Sequence, residues 1–209
     1  MKFNKPKIAK CIDKKIADCM IDNEFSNGIF FNEELDENIK LESITFDGCV
    51  FENINFSKIE LENVDLVDVV FKNCDLSNQS FDKMFIDRVF FENCKMIGVS
   101  FIDATLKDVK FSDCIAKYIN LSGATLNNII INSSGFNEST FLETSVKDVE
   151  FSKVDFSNSE FIKANLNDID FTDCDITGTY FDLKSLNKIK INSFQCQDIV
   201  RTLGVIVED

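Results

Sequence analysis

From Leu41 to Phe181 every fifth residue is apolar, a series of 29 positions of which 15 are Phe. At 44% hydrophobic composition chance gives such a run roughly once in 10¹⁰, so the period belongs to the fold. The residue two before each of these centres is Ile, Val, Ala, Cys, Ser or Thr at nearly every unit, as in Ile44, Cys49, Val64, Val109, Ala124 and Ile169. Gln79 and Met84 are the exceptions, and no charged residue occurs there. The other three positions are mostly Asp, Asn, Ser, Lys, Glu and Gly. Two inward residues flanking one outward residue predict a strand. The two polar residues that follow must turn the chain. A helix cannot carry this period, because five steps of about 100° drift by about 140°.

Units such as Cys74-Asp75-Leu76-Ser77-Asn78 and Ala164-Asn165-Leu166-Asn167-Asp168 resemble the pentapeptide-repeat proteins. The resemblance implies an all-β chain: a right-handed quadrilateral parallel β-helix, one unit per side and four units per coil. Residues 41–181 then make about seven coils and a rod about 34 Å long. A core ladder of Phe51, Phe71, Phe91, Phe111, Phe151 and Phe171 fills its axis. Such a core is one-dimensional, and both ends need caps.

Three regions are expected: an N-terminal basic arm or cap (residues 1–15), the β-helix (16–191, regular over 39–183, irregular over 32–38), and a C-terminal cap (192–209). Residues 1–15 carry six Lys and one Asp. At the start of the repeat two registers compete. Phe25, Phe30 and Leu35 keep the five-residue step one place out of phase with Leu41, whereas Ile16, Ile21 and Phe31 are in phase. The second is preferred here, with coils starting near Ile16. At the other end Cys196, Ile199, Val200 and Leu203 lie on one helical face. Asn192 or Ser193 is the expected N-cap and Gly204 the C′ residue, and Val205–Val207 reads as a short strand. In the Qnr/MfpA-like members such a helix and strand form a homodimer. The resemblance therefore implies a dimer interface at Phe194, Ile199, Val200, Leu203, Val205 and Ile206.

Composition narrows the function. The 209 residues carry 36 Asp+Glu against 22 Lys+Arg, a net charge of −14, which argues against direct nucleic-acid or anionic-membrane binding. There is no His, which removes Ser-His-Asp and Cys-His catalysis. With no Gly-rich phosphate loop and no metal-ligand spacing either, the sequence predicts no enzyme, no catalytic residue, no cofactor and no metal site. Nothing after Met1-Lys2-Phe3-Asn4-Lys5 reads as an apolar leader and no stretch is long enough to span a membrane, so a cytoplasmic address is expected. Eight cysteines without a CxxC pair then read as reduced thiols. Cys74, Cys94 and Cys114, twenty residues apart, are expected to stack inward as small core residues, with Cys174 further along the column.

Residues 41–117 hold 14 acidic and 8 basic residues, residues 118–137 hold none, and residues 138–175 hold 10 acidic and 3 basic. A net −13 on a rod of about 34 Å is one charge per ~2.6 Å, against one per ~1.7 Å for duplex DNA. The side carrying Lys58, Lys95, Lys117 and Tyr118 is the least acidic, leaving three sides as candidate partner surface. The Qnr/MfpA-like resemblance implies a DNA mimic that binds a type II topoisomerase, DNA gyrase or topoisomerase IV, and inhibits it or changes quinolone action. The acidic surface would be Glu60, Glu62, Asp65, Asp68, Glu138, Glu143, Glu150, Asp168, Asp170, Asp173 and Asp175. Looped Qnr members carry insertions that matter for protection. Residues 41–181 have none, so the chain is similar to the loopless members. Acidity that only keeps a β-rod soluble and blocks edge pairing is the competing reading. A scaffold with an unrelated partner would instead use outward apolar residues: Val50, Val70, Phe90 and Ile130 in one column, Ile102, Leu142 and Ile162 in another, with Phe85 and Val67. Immunity against a topoisomerase poison is a third possibility.

Overall fold

The structure, a computed structural model, describes residues 2–22, 25–35 and 37–206. The chain winds into a four-sided parallel β-helix of about eight turns. Successive coils pair in parallel at an offset of twenty: Val69 faces Val89, which faces Val109, Ile129 and Val149. Two adjacent sides form continuous strands at Asp65–Lys72, Phe85–Glu92, Thr105–Ser112, Thr125–Asn132 and Ser145–Ser152. The other two sides are held largely by single bridges such as Asp75–Lys95–Ile115 and Ser80–Ser100–Asn120.

Each position class of the repeat has a physical task. All centres from Leu41 to Phe181 are buried except the half-buried Val146. Phe51, Phe71, Phe91 and Phe111 stack with ring centroids 5.1, 5.2 and 5.0 Å apart. Edge contacts from the other sides lock this stack, as between Phe91 and Phe101 at 6.4 Å. The second residue after the centre turns most corners in the left-handed region, with φ of 53° at Asn73, 52° at Asn93 and 54° at Asp68 and Asp108. Asn and Asp enter that region at least cost among residues with side chains.

The residue two before the centre can be polar because a donor there reaches a backbone carbonyl of the coil below. The Sγ atoms of Cys74, Cys94 and Cys114 donate to the carbonyls of Phe51, Phe71 and Phe91 at 3.4–3.5 Å. Thr144, Ser159 and Thr179 do the same with hydroxyls at 2.7–2.9 Å. Gln79 donates to the carbonyls of both Phe56 and Ile59 at 2.9 Å. A charged group there would be buried without a counter-ion, which accounts for its exclusion.

The N-terminal register differs from the preferred one. Phe25 pairs with Phe46 and Phe30 with Phe51, an offset of 21. Both are buried, while Phe31 is half exposed at 52%. One extra residue between this coil and the next restores the phase. Ile16 is buried but opens a helix, α1 (Ile16–Asp22), rather than a coil. Glu33 carboxylate oxygens accept from its first amide, Ile16 N, at 3.1 and 3.2 Å. The side chain of Ile21 lies outside the described residues.

At the C-terminus α2 (Cys196–Thr202) follows. Its N-cap is Gln195 rather than Asn192 or Ser193, although Asn192 Oδ1 accepts from the amides of Phe194 and Gln195 at 2.9 and 3.2 Å. Gln195 Nε2 donates to the carbonyls of Phe171 and Cys174 at 2.8 Å. It thus repeats the job of Gln79 one residue late and closes the open coil. Gly204, at φ 78°, reverses the helix end, and its amide donates to the Arg201 carbonyl at 2.9 Å. The strand expected next does not form at Val205 or Ile206, which pair with no strand among the described residues. Val207 lies outside the described residues.

Candidate partner-binding surface

The expected acidic residues spread over all four sides. Glu60, Asp65, Glu138, Glu143, Glu150, Asp168, Asp170, Asp173 and Asp175 are exposed, and Glu62 is half exposed. Three of them are paired to lysines of a neighbouring coil: Glu62 with Lys40 at 2.5 Å, Glu138 with Lys117 at 2.7 Å and Glu143 with Lys163 at 2.8 Å. Exposed pairs of this kind exchange easily with solvent and add little stability. The largest concentration of exposed carboxylates lies towards the C-terminal end, at Asp168, Asp170, Asp173 and Asp175. Asp170 accepts from the Thr172 hydroxyl at 2.7 Å and amide at 3.0 Å, which holds its carboxyl below the usual range and therefore ionised. Asp175 accepts from the Thr177 amide at 2.9 Å.

Asp68 stands apart. It is buried beneath the N-terminal arm and takes a two-pronged contact from Arg88, with Nε at 2.6 Å and Nη2 at 2.7 Å. Arg88 also binds Asp87. The arm lies along one corner of the rod and runs against the order of the coils. Asn128 Nδ2 donates to the Lys2 carbonyl at 2.9 Å. The Phe3 ring stacks on Phe90 at 5.9 Å. Asn4 donates from its amide and its side chain to the two oxygens of Asp108, both at 3.0 Å. The Lys7 amide reaches Asp68 at 2.8 Å, and Cys11 Sγ the Gly48 carbonyl at 3.3 Å. Ile12–Asp13 then pairs as a strand with Gly28–Ile29.

Burial raises the pKa of Asp68 and of Asp108, but the donors outweigh it. Arg88 and the Lys7 amide hold Asp68 below the usual carboxylate range, and Asn4 with Asn128 holds Asp108 there. Sequence reasoning missed Asp87, Arg88, Asp108 and Asn128. The available signal was the column at twenty-residue spacing, Asp68, Arg88, Asp108, Asn128 and Asp148, facing a lysine-rich arm.

Of the expected dimer residues, Phe194 is 89% and Ile206 86% exposed, and Leu203 and Val205 are exposed as well. Ile199 and Val200 are half-buried, with Ile199 packed against the core. Leu183, 75% exposed, extends this apolar end. The outward columns are less bare: Val50, Val70, Phe90 and Ile130 are half-buried, as are Val67, Ile102 and Ile162. Phe85 and Leu142 are exposed. Among the described residues no group of three or more His, Cys, Asp or Glu could hold a metal ion, and no helix is long and apolar enough to cross a membrane.

Family models of the pentapeptide repeat match this register, one described as the pentapeptide repeat region over residues 64–141 and one as pentapeptide repeats in eight copies over 41–78 and 150–182. The chain belongs to the pentapeptide-repeat family. No curated protein matches it. Among solved structures, a trypsin-treated QnrB1, a plasmid-mediated fluoroquinolone resistance protein, aligns at 22% identity, covering 88% of this chain and 89% of that one, with a TM-score of 0.47. HetL, from the cyanobacterium Nostoc and involved in heterocyst differentiation regulation, aligns at 15% identity over 86% and 94%, with a TM-score of 0.35. Rfr23, from the cyanobacterium Cyanothece, aligns at 10% identity over 73% and 91%, with a TM-score of 0.23.

Proposed function

We propose that this pentapeptide-repeat protein is a cytoplasmic, non-enzymatic acidic rod. In this reading it binds a type II topoisomerase, gyrase or topoisomerase IV, by occupying the groove that takes duplex DNA. The observation that carries the reading is the exposure of Glu60, Asp65, Glu150, Asp168, Asp170, Asp173 and Asp175, none in an ion pair among the described residues, on a filled rod whose line charge is of the order of DNA. A filled rod leaves the surface as its working part, and a DNA-binding groove is built to meet such a field. Dimerisation through Phe194, Ile199, Val200, Leu203, Val205 and Ile206 would double the rod and bring the acidic ends together. Because residues 41–181 keep an uninterrupted five-residue register, inhibition is expected to outweigh quinolone protection. The test is a supercoiling and cleavage-complex assay in which the purified protein is titrated into bacterial gyrase with and without ciprofloxacin. Inhibition or rescue supports the reading; no effect at large excess on gyrase and topoisomerase IV removes it.

The scaffold reading is favoured by the seating of Phe3 on Phe90, which marks that outward column as able to hold an aromatic group. A partner other than a topoisomerase whose binding is lost in Phe90→Lys would support it.

A further inference from the structure

The corner covered by the arm has the features of a peptide-docking groove. Its base is the corner column Asp68, Arg88, Asp108 and Asn128, flanked by Asp87 and Phe90. Asp68, Asp87 and Asp108 are only 7%, 6% and 1% exposed, which is unusual for carboxylates on the outside of a solenoid. Two spacings coincide here. Asp68 and Asp108 lie two coils apart, about 9.6 Å at the ladder spacing, and three extended residues span about 10 Å. The amides that meet them, Lys7 N and Asn4 N, are three residues apart. Pro6 falls between these two contacts, so its missing N–H costs nothing, and it keeps Lys5 extended.

Among the described residues the arm meets Asp68 and Asp108 of this column but not Asp148. Asp148 stands at the next two-coil step and is exposed. Asp87 Oδ1 is buried and accepts no hydrogen bond, with Lys107 Nζ 3.7 Å away. The side chains of Lys2, Lys5, Lys7 and Lys10 are exposed, so the arm is held by main-chain groups, Asn4, the Cys11 thiol and one stacked ring.

From the spacing match, the stacked ring and the unfilled positions, we propose that this corner is a docking groove for an extended, basic peptide segment of a partner protein that carries an aromatic side chain, and that residues 2–11 are its occupant in cis. The partner segment would place amides at three-residue steps on Asp148, Asp108 and Asp68 and its aromatic ring on Phe90. The tethered arm competes at a high effective concentration, so a partner must displace it. This inference stands apart from the topoisomerase reading and does not need it.

The test uses a labelled peptide with the sequence of residues 2–10 and the full-length chain. Anisotropy is read on wild type, on a Phe3→Ala/Asn4→Ala variant whose arm is loosened, and on that variant with Asp108→Asn added. The loosened variant is expected to bind about tenfold or more tightly than wild type, and Asp108→Asn is expected to reverse that gain. A scrambled peptide of equal charge should bind the loosened variant at least tenfold more weakly. Equal binding of both peptides, or indifference to Asp108→Asn, would reduce the effect to attraction by net charge and overturn the proposal. No binding to the loosened variant would make the arm a fixed part of the fold. Arm exchange between two copies, seen as concentration-dependent dimers of the loosened variant that exclude the peptide, would also overturn it. Should the loosened variant misfold, excess peptide added to wild type is expected to raise hydrogen exchange at the Asn4 and Lys7 amides, and unchanged exchange would count against the groove.

Discussion

Replacing Phe91 by Ala tests the axial stack where it is most regular. Phe91 is fully buried and lies between Phe71 at 5.2 Å and Phe111 at 5.0 Å, with interplanar angles of 3° and 8°. Phe81 and Phe101 meet it edge-on at 6.5 and 6.4 Å. A buried Phe→Ala change costs about 3–5 kcal/mol through lost transfer energy and the cavity left behind. The neighbours here belong to hydrogen-bonded ladders above and below and cannot collapse into the space. The upper part of that range, about 4–5 kcal/mol, is therefore expected. For a chain of this size each kcal/mol lowers Tm by roughly 2–4 °C, giving a fall of about 8–20 °C. Phe85 is the control: it begins the same strand but points outward and is 42% exposed. Phe85→Ala should move Tm by no more than about 2–3 °C. The assay is thermal unfolding followed by far-UV circular dichroism. Equal shifts in the two variants would refute the inward assignment of the five-residue centres.

Four further outcomes are expected. Phe30→Ala should destabilise the first coil while Phe31→Ala leaves the melting curve nearly unchanged, and the reverse order would restore the rejected register. The lowered pKa values of Asp68 and Asp108 mean that their contribution is fully present above the ordinary carboxylate value of about 4 and is lost as pH falls through the lowered folded-state values. NMR signals of Phe3 and Asn4 should therefore stay fixed at neutral pH and move to free-peptide positions only in acid; an arm already free at pH 7 would contradict the contacts. The six buried cysteines are closed to reagent, and burial also raises Cys49 to about 11 and Cys174 to about 12; at pH 8 a thiol reagent should therefore react quickly with exposed Cys196, more slowly with Cys11, and with the buried six only after unfolding. Val200→Asp should yield monomers by sedimentation if the C-terminal helix forms the dimer, and an unchanged coefficient would argue against that interface.

The coil and its core were legible because one rule repeats. Every unit from Leu41 to Phe181 faces the same neighbours, so each centre confirms the next, and Cys74, Cys94 and Cys114 fell in the expected column. The ends were harder because the rule is broken there only once each. A single inserted residue shifts Phe25 and Phe30 against Phe46 and Phe51, and local spacing favours neither register. Packing decides, since Phe30 has Phe51 to stack on at 4.7 Å while Phe31 has no ring partner among the described residues. Val205 and Ile206 have strand-forming side chains but pair with no strand among the described residues. The arm was least legible. Six lysines suggest only a basic arm or cap, whereas residues 2–11 are held by main-chain groups, Asn4, Phe3 and the Cys11 thiol, groups that leave no periodic trace. The exposed carboxylates were legible as a class; that Asp68 would be covered depended on a segment more than sixty residues away in sequence.

The central claim is that the rod takes the place of DNA on its partner. The most direct test is competition between this protein and a fluorescent duplex for bacterial gyrase, read by anisotropy at two salt concentrations. The account predicts that the protein displaces the duplex and does so less well at higher salt. It also predicts that Asp170→Lys, Asp173→Lys and Asp175→Lys together weaken displacement. A duplex that stays bound at large excess of protein, or displacement that ignores both salt and charge reversal, would contradict it.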